Sequence, residues 1–179
     1  VQAATKKVGV CDLVVCVELA MATIHLTTLI HAPITRVFDL ARSIDAHQQS
    51  TADTSEIAVA GVTGGLIELG QEVVWEARHF GFRQRLSVKI SAMDRPRYFQ
   101  DVMIKGVFAT MKHDHFFSAV GDGTEMKDVF EYRAPLGILG RLAEIAFLTA
   151  YMRKFMIKRN NILKQIAETD EWKRFLENS

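Results

Sequence analysis

The chain has 179 residues, 49% of them hydrophobic and 24% charged, with three prolines, two cysteines and a formal net charge of +1. This composition suits one globular domain and excludes a disordered chain, a collagen-like repeat and a disulfide scaffold. A net charge so close to zero supplies no general field toward nucleic acid or anionic lipid, so neither a nucleic-acid partner nor stable membrane insertion is expected.

Residues 1–20 read as an extension ahead of a single domain over 21–179, or as a product of where the reading frame was started. A signal-like pattern is the alternative: Lys6 and Lys7 precede an apolar stretch, and Ala20, Met21 and Ala22 resemble a small-residue cleavage site. Asp12 and Glu18 interrupt the stretch and argue against both a signal core and a membrane span. Cys11 and Cys16 both lie here, which leaves the domain without a thiol nucleophile or a Cys-rich zinc site. A reducing, cytoplasmic setting fits.

From Thr23 the segment TIHLTTLI alternates, as a half-buried strand does. His31-Ala32-Pro33 ends it, since proline cannot donate to a ladder but suits a helix start. ITRVFDLARSI follows with Val37, Leu40 and Ala41 at helical spacing, and Ser43 or Asp45 can cap a second short helix reaching about Thr51. A strand over Glu56–Ala60 leads into the glycine-rich loop 61–70. That loop lacks GxGxxG and GK[ST] and runs into a strand, so it is no phosphate cradle.

Five more strands follow in close order, separated at Gly81, at Asp94-Arg95-Pro96, at Gly106 and at Gly121-Asp122-Gly123. Tight turns without intervening helices predict an antiparallel meander. Leu139, Leu142, Ala143, Ala146, Ala150, Phe155, Ile162 and Ile166 then recur at helical spacing, predicting one long helix over 136–167, kinked near Gly140. Trp172, Phe175 and Leu176 pack the tail. The resulting fold class is α+β: a curved antiparallel sheet of about seven strands wrapped around a long C-terminal helix, with two short helices after the first strand. A cavity can remain between sheet and helix.

LIHAPITRVFDLARSID, with Ala32, Pro33, Val37 and Phe38, resembles the opening of the SRPBCC (START-like, helix-grip) superfamily. The resemblance continues through GLIELGQEVVWEARHFG, KHDHFF, GTEMKDVFEYRAPLGILG and the Arg159-Asn160 pair, and covers 22–168. The chain is similar to small stand-alone bacterial members labelled cyclase/dehydrase-like or cell-division-inhibitor-like. The resemblance implies a helix-grip fold and a loop 61–70 near the mouth of the cavity. The superfamily spans carriers, cyclases and receptors, so it does not by itself assign a function.

His113 and His115 are the most pointed feature. At i and i+2 on a strand they share one face, with Met111 and Phe117. They are read as a structural pair, as polar anchors that polarise a ligand carbonyl, or as metal ligands, which would need a third donor such as Glu76, His79 or Asp128. His79 shares its face with Val73, Trp75 and Ala77, and Asp128 with Met126, Phe130 and Tyr132. A carboxylate among such residues needs a partner, and pairing Asp128 or Asp101 with a histidine would satisfy both. Arg153, Lys154, Lys158, Arg159 and Lys164 read as a solvated basic band on the long helix, and Arg83, Arg85 and Lys89 as the outer face of the sheet.

The expected function is binding of a hydrophobic or aromatic small molecule in that cavity, with His79, His113, His115, Trp75, Met111, Phe117, Asp128, Phe130 and Tyr132 around the ligand and no metal or cofactor. One alternative is a cyclase/dehydratase-type enzyme in which His113, His115 or Asp128 moves a proton. The other is an interaction module that uses the basic helix face or the 61–70 loop to contact a protein or a membrane surface.

Overall fold

A computed structural model describes residues 21–177. The expectations for residues 1–20, both cysteines included, lie outside the described residues. Strand β1 (Ala22–Ile30) keeps the alternation: Ile24 and Ile30 are fully buried, while Thr23 and His25 are exposed. Pro33 (φ −58°, ψ 144°) turns the chain into α1 (Ile34–Ala41), which buries Val37, Phe38 and Leu40. Helix α2 (Ile44–Ser50) starts at Ser43, whose Oγ accepts the Ala46 N–H at 3.3 Å. It thereby satisfies one of the donors that a helix start leaves open. A 3₁₀ turn (Ala52–Thr54) follows.

Strands β2 (Ile57–Gly61), β3 (Glu72–His79), β4 (Phe82–Asp94), β5 (Tyr98–Lys105), β6 (Thr110–Val120) and β7 (Gly123–Arg133) complete the sheet. Its order is β1-β7-β6-β5-β4-β3-β2, antiparallel throughout. The β3–β4 hairpin has a two-residue loop, Phe80-Gly81, with both φ values positive at 52° and 81°. This is the turn whose twist matches a right-handed sheet. A left-handed Phe is costly, and the Phe80 ring is held against Tyr151 with centroids 4.5 Å apart. The 61–70 loop is anchored rather than loose: the Gly65 N–H donates to Asp45 at 2.7 Å, Arg42 donates to the Ile67 carbonyl at 3.1 Å, and Ile67 is buried.

The long C-terminal helix runs from Gly137 to Glu168 as periodicity predicts, and its irregularity takes the form of a π-helical turn. The helix comprises α3 (Gly137–Ala143), a π-helical turn (Glu144–Leu148) and α4 (Thr149–Glu168). The irregularity falls after Gly140 and begins at Glu144. That carboxylate is 1% exposed, accepts the backbone N–H of Ala134, and takes Arg141 Nη1 at 2.6 Å. The Thr149 N–H then reaches the Glu144 carbonyl, one residue further than in an α-helix.

Gly140 is required for a separate reason: a Cβ there would lie 1.9 Å from the Pro135 carbonyl oxygen. Gly140→Ala is therefore expected to displace α3 and cost about 1–3 kcal/mol, as overpacking does. A urea midpoint equal to that of the parent protein would show that α3 moves aside freely. Helix α4 packs along β1 and against α1 and α2, and α5 (Lys173–Leu176) closes the end with Phe175 buried.

Candidate functional site

Sheet and C-terminal helices do not meet along their whole length. Between them lies a cavity of about 610 Å³, lined by Trp75, Val88, Met111, Phe130, Met152 and Phe155 among many apolar side chains. This volume is in the range that holds a drug-sized ligand. One side of its rim is α3 and the π turn, where Leu136 and Leu139 line the cavity while remaining 80% and 71% exposed.

Polar groups break the apolar lining in two places. The first is on the adjacent strands β5, β6 and β7. Asp101 is directly opposite His113, and Asp128 directly opposite His115. Each carboxylate also reaches the other histidine diagonally: Asp101 Oδ1 lies 3.2 Å from His115 Nε2, and Asp128 Oδ1 lies 3.1 Å from His113 Nε2. His115 Nδ1 is 2.8 Å from Asp128 Oδ1 as well, at an angle too oblique for a hydrogen bond. The two imidazoles lie side by side with centroids 3.8 Å apart, and Phe99 stacks on His115 at 4.2 Å. Asn160 on α4 donates to Asp128 Oδ2 at 2.7 Å and so ties helix to sheet.

Burial works against charge throughout this group, and the partners decide the outcome. Burial alone would raise the Asp128 pKa; contacts with His113 and His115 outweigh it and hold the carboxyl well below its ordinary value. Asp101 is lowered in the same way, chiefly by its hydrogen bond with His115. For His115 the two carboxylates overcome desolvation and raise its pKa, whereas burial and the neighbouring His115 lower that of His113. The two imidazoles are thus set apart: His115 holds a proton more readily than His113.

The second polar station lies under β2, β3 and α2. His47 stacks on Trp75 at 4.1 Å and faces the buried Glu56 at 3.4 Å, and His79 Nδ1 bonds the Tyr151 hydroxyl at 2.7 Å. Arg159 lines the same cavity, is 7% exposed, and has no hydrogen-bond or ion-pair partner among the described residues.

Of the residues expected around a ligand, Trp75, His79, Met111, His113, His115 and Phe130 line the cavity. Phe117, Asp128 and Tyr132 do not. Phe117 shares the face but lies beyond the cavity's end, packed on Phe38 and Phe99. Tyr132 is fully buried with its hydroxyl on Thr149, and Asp128 sits behind the histidines. Glu76, considered as a third donor beside the histidines, faces the opposite way and pairs with Arg83 and Arg85. Arg159 belongs to no solvated band; it turns inward. Sequence reasoning missed it, along with Glu56, His47 and Tyr151. For Arg159 a signal existed: with Asn160 it falls on the helical stripe of Met156, Leu163, Ile166 and Ala167.

Among the described residues one group has the donor types and spacing of a metal site: one atom each of Asp101, His113 and His115, all within 4.8 Å of one another.

The architecture, a curved antiparallel sheet wrapped around a long C-terminal helix, is shared by solved structures. The protein TTHA0849 from Thermus thermophilus superposes with a TM-score of 0.67 at 19% identity, covering 80% of this chain and 95% of that one. The Zhui aromatase/cyclase from Streptomyces sp. R1128 gives 0.67 at 12% identity, with 83% and 94% covered. Major latex-like protein 151 from Panax ginseng gives 0.60 at 14%, with 83% and 99% covered. No protein-family model and no curated protein matches the sequence. These likenesses establish the fold alone. Among the described residues no helix is long and apolar enough to cross a membrane.

Proposed function

We propose that this protein binds an apolar or aromatic small molecule between its sheet and α4, with His113 and His115 as polar anchors. The cavity of about 610 Å³ carries this reading: it is greasy over most of its wall and polar at a few fixed points. A saturating ligand, at about a hundred times its Kd, stabilises by about 2.7 kcal/mol, which for a domain of this size raises Tm by about 5–10 °C. A thermal-shift panel of apolar and aromatic compounds should contain such ligands. Val88→Trp, at a buried cavity-wall position on β4, should abolish the shift. Trp75 in the wall offers a second readout, fluorescence quenching in a Trp172→Phe background. A panel in which no compound shifts Tm or quenches Trp75 would refute the proposal.

A second reading, a cyclase/dehydratase-type enzyme, draws on the bonded Asp101–His115 pair beside His113, whose pKa burial lowers. This arrangement can give a proton to one atom of a bound carbonyl compound and take one from another. A fold neighbour named as an aromatase/cyclase supports it at the level of architecture only. A retained compound that is converted by the parent protein, and left unchanged by His113→Ala or His115→Ala, separates the enzyme from the carrier.

A further inference from the structure

We propose that Asp101, His113 and His115 bind one divalent transition-metal ion of the zinc or ferrous class, with its open coordination side facing the cavity. The donor set is two imidazoles and one carboxylate, with one atom of each within 4.8 Å of the others. Such a set suits Zn²⁺ or Fe²⁺, and three protein ligands leave a position for water or ligand.

The arrangement behind the donors matches what metal-binding histidines need. His113 points Nε2 at Asp128 Oδ1 (3.1 Å) and Nδ1 toward Asp101 (4.0 Å). His115 points Nδ1 at Asp128 Oδ1 (2.8 Å) and Nε2 toward Asp101 (3.2 Å). Both rings thus place one nitrogen beside a single fully buried carboxylate, through a hydrogen bond for His113 and a close contact without hydrogen-bond geometry for His115, and turn the other to the same side. A carboxylate on the far nitrogen is the usual device for fixing a ligand imidazole. Asp128 is itself held by Asn160.

Location separates the two roles. Asp101, His113 and His115 line the cavity and Asp128 does not. The donors stand on paired strands of one sheet, so their spacing is fixed by the backbone ladder. Two carboxylates face two imidazoles here, and a dication offsets both charges.

This inference rests on the cavity being open to solutes, as the ligand reading does, but its test needs no organic ligand. Untagged full-length protein is stripped with a chelator and titrated with Zn²⁺ by equilibrium dialysis, and with Co²⁺ by its visible d–d band. One equivalent should bind. Asp101→Asn, His113→Ala and His115→Ala should each weaken binding at least tenfold, and Asp128→Asn about 10–100-fold, as loss of a supporting carboxylate does. Circular dichroism identifies any variant that fails to fold, and Asp101→Asn, the most conservative of them, then decides.

Absence of stoichiometric uptake by the parent protein overturns the inference, as does undiminished uptake by folded Asp101→Asn. If apolar compounds still shift Tm in that case, the ligand reading stands and only the metal site falls. If Zn²⁺ binds while no apolar compound does, the reverse holds.

Discussion

Asp128→Ala should cost about 3–5 kcal/mol of folding stability, the scale of breaking a buried charge pair by removing one partner. The side chain is 0% exposed and is the common partner of His113, His115 and Asn160. Alanine leaves three buried polar groups without it. Urea denaturation of the metal-free protein at neutral pH measures the loss; a change below about 1 kcal/mol would mean that the cluster rearranges at little cost.

The same residue predicts a pH dependence. The folded-state pKa of Asp128 is depressed well below 3.8. Its contribution is therefore fully present above the unfolded value and is lost as the pH falls through the folded one. Below pH 4 the stability gap between the parent protein and Asp128→Asn should narrow as the pH falls further. A gap that widens below pH 4 would contradict the direction of that shift.

Glu144→Ala should cost about 2–3 kcal/mol, because it leaves the buried Ala134 N–H without its acceptor and Arg141 without its carboxylate. Glu144→Gln keeps the acceptor and should lose less. The π turn begins at Glu144, and with α3 it forms one side of the cavity rim. The alanine variant should therefore also change the affinity of any compound found by thermal shift. An unchanged urea midpoint in Glu144→Ala would show that the π turn is set by other contacts.

Much of this molecule is legible along the chain. Alternation in TIHLTTLI, the Pro33 break, the Ser43 cap and the glycine-marked hairpins each follow from local rules that hold wherever a strand or helix begins and ends. Parity alone places His113 and His115 on one face. Parity does not say how far along a strand a cavity extends, which is why Phe117 and Tyr132 share the faces of site residues without lining the cavity. A default also misplaced Arg159: a basic residue on a helix usually seeks water, yet its position relative to Met156 and Leu163 sets it on the buried stripe.

The sequence by itself determined the elements, their order and which side chains share a face, because these depend on neighbours within a few residues. Tertiary structure alone decided that Asp101 and Asp128 close on the histidines and that Asn160 locks the group from α4. It alone decided that Glu144, where the π turn begins, accepts the Ala134 N–H. Each of those contacts joins different elements, and its partners are set by strand order, register and helix docking rather than by any local preference of the residues.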